Sequence, residues 1–370
     1  MTGARRLTTT ILLLFAIFLL SQRAGEAGNT ALLPTKSWVA IVLETVVIPS
    51  HKGFVAAASD TANSLVELCA KPGSETLEIA RDRFAELVAA WANVELYRFG
   101  PARINNLHDR LFFWPDRRNR GLRQVLRLIA TEDVSATDIA SLKQKSVATQ
   151  GLPALEFLLF GSGSETLAQA EGDYHCRYAR AVARAIDDHA AALLAGWTAS
   201  EGHAKAMTTA SPGNPVYRTP DEAVHELLRA ATAQLEILRD LKLVSMLGET
   251  PTKTKPLRAP FARSGLALSA MGGNIDAVLS LFANADVPVL PVLVQDSYAA
   301  SLRFELDQVR SVFAKLDTDP RGWKDLLEVA QVQEKLRYVI YPLGGAIRIL
   351  QQDFASALGL TLGFNAMDGD

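Results

Sequence analysis

Apolar side chains recur at helical spacing across most of this chain, and that period admits helices and little else. Between Leu77 and Phe99, for instance, Phe84, Leu87, Val88, Trp91 and Leu96 fall on one face of a helix. Pro72-Gly73-Ser74 precedes this run with Ser74 as an N-cap, Glu75 and Glu78 suit the first turn, and Gly100-Pro101 ends it.

The same punctuation recurs downstream. A second long helix is expected from Gly172 to Trp197, burying Tyr174, Tyr178, Val182, Ile186, Leu193, Leu194 and Trp197. A third begins at Thr219-Pro220-Asp221-Glu222, a capping box with proline at the first helical position, and carries Val224, Leu227, Leu228, Leu235 and Leu238. Two more are expected over 297–316 and 321–352, the latter behind Asp319-Pro320. The strand-like run 287–294 carries Pro288 and Pro291, which a central strand does not tolerate. The class is therefore all-α, built of long antiparallel helices. A polar stretch with Pro212, Gly213, Asn214, Pro215 and Pro220 marks 199–221 as a linker between an N-terminal bundle, 36–198, and a C-terminal one, 222–370. A second irregular stretch, 247–262, holds Pro251, Pro256 and Pro260 among Lys253, Lys255 and Arg258.

The beginning of the chain reads as an export signal. Arg5 and Arg6 precede an apolar run from Ile11 to Leu20, and Gly25-Glu26-Ala27 supplies small residues for cleavage after residue 27. The run is too short for a bilayer span, which needs about 20 residues, so a soluble periplasmic protein without a membrane anchor is expected after cleavage. A net charge of −2 argues against nucleic acid as a partner. The only two cysteines, Cys69 and Cys176, are expected to be joined in an oxidising compartment.

Four short motifs stand out: Arg98-Phe99-Gly100-Pro101, Phe113-Trp114-Pro115-Asp116, Gly151-Leu152-Pro153-Ala154-Leu155-Glu156 and the terminal Gly363-Phe364-Asn365-Ala366-Met367-Asp368. Together they resemble the imelysin family of bacterial envelope proteins, over about residues 36–370. The resemblance implies two helical bundles packed side by side, an ordered tail around Asn365 and Asp368, and a link to iron acquisition. The family motif is G-x-H-x-x-E, read as a metal-binding or peptidase signature, and here the histidine position is Pro153.

Taken as residues, Gly151 and Pro153 look like a helix start, with Glu156 in the first turn where the helix dipole favours a carboxylate. Positions 153 and 156 share a face, so a histidine and the glutamate would reach one cation; proline has no lone pair, which leaves Glu156 alone as a weak metal ligand. The segment 98–127 is crowded with arginines, and Trp114 and Asp116 are expected to project from a turn broken by Pro115. Guanidinium forks suit carboxylate or phosphate, so an anionic metal chelate is a fitting ligand, with Arg98 and Arg103 flanking the Gly100-Pro101 turn as leading candidates. Most of the remaining arginines read as a solvated basic face. Pro260-Phe261-Ala262-Arg263-Ser264-Gly265 is again similar to imelysin sequences, with Ser264 as the N-cap of a helix over 264–283; the resemblance implies a binding surface at the seam between the two bundles, where Glu156, Arg98, Arg103, Trp114 and Asp116 face Arg263 and Ser264.

Other chemistries find no support. There is no H-E-x-x-H, nucleophile elbow or phosphate loop, and the six histidines are scattered, with Asp187-Asp188-His189 expected on a solvated helix face. No catalytic residue is assigned. The expectation is a non-enzymatic binding component linked to iron or another divalent metal ion, with an imelysin-type metallopeptidase or an envelope adaptor protein as the competing readings. A metallopeptidase needs a water-activating cation held by several protein ligands, which Pro153 undermines.

Overall fold

A computed structural model describes residues 35–283, 290 and 297–359. The expected signal peptide (1–27), almost all of the run 287–294, and Asn365 with Asp368 lie outside the described residues. Every regular element among the described residues is helical, as the apolar period requires, and these residues belong to one compact unit.

The helices that position the site are these. Helix α1 (Thr35–Ala70) contains a π-helical turn at Leu43–Val47 and is followed by α2 (Ser74–Val94), α3 (Arg120–Ala130), α4 (Leu152–Phe160) and α5 (Asp173–Thr198). In the second half, α6 runs as Pro220–Glu236, a π-helical stretch Ile237–Val244 and a last turn Ser245–Leu247. Then come α7 (Ala267–Phe282), α8 (Tyr298–Asp317), α9 (Ala330–Tyr338) and α10 (Ile340–Arg348), which continues through a π-helical Ile349–Phe354.

Helix α1 lies between α5 and α2, α2 also meets α7, and α7 packs on α8, which packs on α10. By length and hydropathy α1 could cross a membrane, but Trp38, Val42, Phe54, Leu65 and Leu68 are buried in this core. Each such side chain contributes roughly 1.5–3 kcal/mol over exposure, so packing accounts for its apolar face. The α2–α7 crossing is close because Gly273 faces Ala92; a Cβ at 273 would come within 2.7 Å of the Ala92 Cβ. Cys69 on α1 and Cys176 on α5 are bridged with Cα atoms 5.6 Å apart, inside the usual window for a disulfide.

Three sequence expectations need correction. The stretch 321–352 is not one helix: it breaks into Trp323–Leu326, α9 and α10. Helix α7 starts at Ala267 rather than 264, with Leu266 at its N-cap, because Ser264 is engaged elsewhere. His189 does not face solvent: its Nε2 lies 3.2 Å from the Gln150 amide oxygen in a buried site, while Asp188 pairs with Lys143. The reason is that α5 is covered on more than one side, so a polar face by sequence still meets protein. The span 199–221 is ordered, holding a short helix, His203–Thr208, and an Asn214 turn whose side-chain oxygen accepts from the Val216 and Tyr217 amides.

Candidate functional site: a cationic cleft walled by aromatic rings and prolines

The site is assembled around Gly151. Its φ of +83° is open to glycine and costly for other residues, and a Cβ there would meet the Arg110 carbonyl oxygen at 2.4 Å. The strand of chain ahead of α4 can therefore press against the backbone at 110–111, which aims α4 past the segment 112–116. Pro153 stands in the first turn of α4, where its missing N–H costs nothing.

Glu156 falls in the second turn of α4 rather than the first, so the dipole argument gives way to specific donors. It is only 4% exposed. Its Oε1 accepts from the backbone amides of Arg263 (2.9 Å) and Ser264 (3.0 Å) and from the Ser264 hydroxyl (3.1 Å). Burial pushes the carboxyl up, and the Ser264 and Arg263 donors with the Arg263 charge pull it back without cancelling the rise. The loop so clasped is tightly turned: Phe261 has φ +57°, and its carbonyl accepts from the Ser264 hydroxyl and the Leu266 amide. Among the described residues the Arg263 guanidinium makes no ion pair; it lies 5.7 Å from the centroid of the Phe157 ring.

Phe261 joins a stack of rings. It lies against Phe112 (centroids 5.4 Å apart, planes at 22°), and Phe112 against Trp114 (6.0 Å, 24°). The Trp114 indole N–H donates to the Arg258 carbonyl at 3.3 Å. Beneath the stack is Lys242, 0% exposed, with its ammonium 5.9 Å from both the Phe112 and Trp114 centroids. Lys242 Nζ donates to Glu95 Oε2 and Asn274 Oδ1, each at 2.7 Å, and Asn274 Nδ2 donates to Glu95 Oε2 at 3.1 Å. Arg98 closes the other end, 2.9 Å from Glu95 Oε1. Burial raises the Glu95 carboxyl, but Lys242 and Arg98 with the hydrogen bonds outweigh it and hold the group down to about 2. Burial pulls the Lys242 ammonium below the usual lysine range, against the opposing pull of Glu95.

Above these residues opens a cleft of about 870 Å³, bounded by 112–122, the start of α4, the π-helical part of α6 and the loop 255–263. Of the residues singled out in the sequence, Trp114, Asp116, Glu156 and Arg263 line it, and Ser264 is attached through Glu156. Arg98 is absent from its walls and supports them from behind through Glu95. Arg103 is exposed and lies outside the cleft. Asp116 is spent locally: its carboxylate accepts from the amides of Arg120 (2.7 Å), Gly121 (2.8 Å) and Leu122 (3.3 Å), fixing the start of α3.

Sequence reasoning missed Lys242, Glu95 and Asn274. The one available signal was a lysine inside the apolar run Leu241-Lys242-Leu243-Val244, which the π-helical winding turns inward. It also missed Lys255 and Arg258 as cleft residues, since a basic loop reads as solvated.

For a resident metal the donors do not fit. Among the described residues no three His, Cys, Asp or Glu side chains are grouped to hold an ion, and no histidine lines the cleft. His51, His175, His189 and His203 hydrogen-bond instead to Val47, Leu158, Gln150 and Tyr217.

The fold and site thus define an all-helical protein with an open cleft, cationic in side chain and walled by rings. A sequence profile of the imelysin family (peptidase M75) matches residues 47–343, and the chain belongs to that family. An imelysin-like protein from Psychrobacter arcticus 273-4, of solved structure, has the same fold with a TM-score of 0.72 and 19% identity over 89% of this chain and 97% of that one. A protein from Parabacteroides distasonis ATCC 8503, assigned as an iron-regulated protein A precursor, superposes with a TM-score of 0.66 at 16% identity, covering 88% and 97%. Iron-regulated protein A of Synechococcus elongatus is 26% identical over 147 residues, which is 40% of this chain and 38% of that protein, so the match spans well under half of the relative's length.

Proposed function

We propose that this is an exported, periplasmic binding component linked to the acquisition of iron or another metal, and not a peptidase. The observation that carries the reading is the cleft of about 870 Å³ beside Glu156, of the size that takes small ligands, with basic side chains at its walls and, among the described residues, no grouped metal donors. A peptidase of this kind would need a cation held by several protein ligands and an open coordination position. Pro153 and the threefold engagement of Glu156 Oε1 supply neither. Membership of the imelysin family and the partial likeness to iron-regulated protein A support the link to iron. Metal in this reading is cargo, delivered bare or as an anionic chelate.

The test is to purify the mature protein from a periplasmic extract of iron-limited cells and measure its metal content by mass spectrometry, alongside a peptide-hydrolysis assay. Iron or another metal above the buffer blank, with no hydrolysis, is expected. Metal-dependent hydrolysis, or recovery only from the cytoplasm, would overturn the reading.

A further inference from the structure

The cations and anions of the cleft are satisfied to very different degrees. Each of its three carboxylates is engaged: Asp116 by backbone amides, Asp240 by a forked pair of bonds from Arg239 at 2.7 and 2.8 Å, and Glu156 by the loop at 263–264. Its four cations are engaged far less, Arg263 having only the Phe157 ring and the nearby charge of Glu156. Arg117, Lys255, Arg258 and Arg263 line the cleft, and none makes an ion pair or a side-chain hydrogen bond among the described residues. A folded chain with more carboxylates than basic groups has partners to offer, so four unpaired cations around one opening describe a site for negative charge. Between them the wall offers the part-exposed Trp114 and Pro153, with Phe157, Pro260 and Phe261 buried behind them. Such faces stack on a planar body and give no lone pair to a metal ion.

We propose that the cleft takes an organic anion with a flat apolar body, gripped whole by Arg263, Arg258, Lys255 and Arg117, and that the protein gives no ligand to any metal the anion carries. This rests on the reading of the cleft as the binding site. Binding weakens as salt is raised, because three of the four cations sit at exposed positions where counterions compete. The free anion binds without its metal, since the contacts go to the organic part, and a complex of higher negative charge binds at least as tightly.

The experiment is calorimetric titration of the mature protein with three probes: 2,3-dihydroxybenzoate, its ferric complex, and ferrous ion alone under argon. A fourth probe, the aromatic anion 1-anilinonaphthalene-8-sulfonate, is followed by fluorescence. The same titrations are run on R258Q/R263Q, whose helical content is checked by circular dichroism, and on K255Q, which alters one exposed side chain. The expected result is saturable binding of the aromatic anions, weakened about tenfold for each cation removed, with ferrous ion alone giving no heat. Anion binding indifferent to all three substitutions overturns the proposal. Stoichiometric ferrous binding without anion binding overturns it while leaving the metal-linked function standing. Failure of all four probes overturns both.

Discussion

At the scale of single residues, the contrast between Glu156 and Pro153 decides what the motif can do. Glu156 keeps a place in the cleft wall, but its Oε1 is occupied by three donors, and Pro153 beside it offers no lone pair. Replacing Pro153 with histidine puts an imidazole three positions before Glu156, on a face where both line the cleft. P153H is expected to bind divalent ions measurably more tightly than the natural sequence by calorimetry, and adding E156A should abolish the gain. The proline itself is worth roughly 0.5–1 kcal/mol of stability, a small loss that thermal unfolding would register. Survival of the gain in P153H/E156A would place the ion elsewhere. Glu156, Trp114, Arg263 and Ser264 were legible in the sequence because short motifs frame them. Lys242 was not, since its neighbours are leucines and nothing local reveals that Glu95 and Asn274, 147 and 32 positions away, meet it in the core.

At the scale of helices, periodicity and capping residues located α5, the start of α6 and α8 to within a residue or so. Thr219 caps α6 as expected, its hydroxyl accepting from the Glu222 amide. What the period did not reveal is where helical winding changes or stops: the π-helical stretches of α1, α6 and α10 keep an apolar face and look unbroken in one dimension. The late start of α7 was hidden for another reason, because Ser264 serves Glu156 across 108 positions instead of its own helix. The disulfide, by contrast, needed only the cysteine count and the expected compartment. It fastens α1 to α5, the two helices with the most extensive packing, across a separation of 107 residues. Opening it is expected to lower stability by roughly 2–5 kcal/mol, read as a lower denaturant midpoint for the C69S/C176S variant than for the oxidised protein. An unchanged midpoint would mean that packing alone holds the pair.

At the scale of the whole molecule, the buried pair Glu95–Lys242 joins the end of α2 to the π-helical part of α6, with Asn274 of α7 completing the contact. Its pH dependence has a definite sign. The folded Glu95 carboxyl titrates at about 2 against an ordinary 4.5, so the unfolded chain binds more protons between those values. The stability it contributes is complete above 4.5 and is lost as pH falls toward about 2. An E95Q variant should be less stable at neutral pH, by about 3–5 kcal/mol for a broken buried pair, and should show a shallower fall over that acid range. Denaturant titrations of both proteins at several pH values would check this; parallel acid slopes would refute it. The two-cysteine count has a further meaning for a chain that is made from one end. Cys69 is synthesised well before Cys176, waiting about 5–20 s at ordinary elongation rates, and during that time the nascent chain holds no second thiol with which to pair wrongly. Only one internal connectivity exists, so reshuffling is unnecessary, and the sole mispairing open to the young chain is with another molecule.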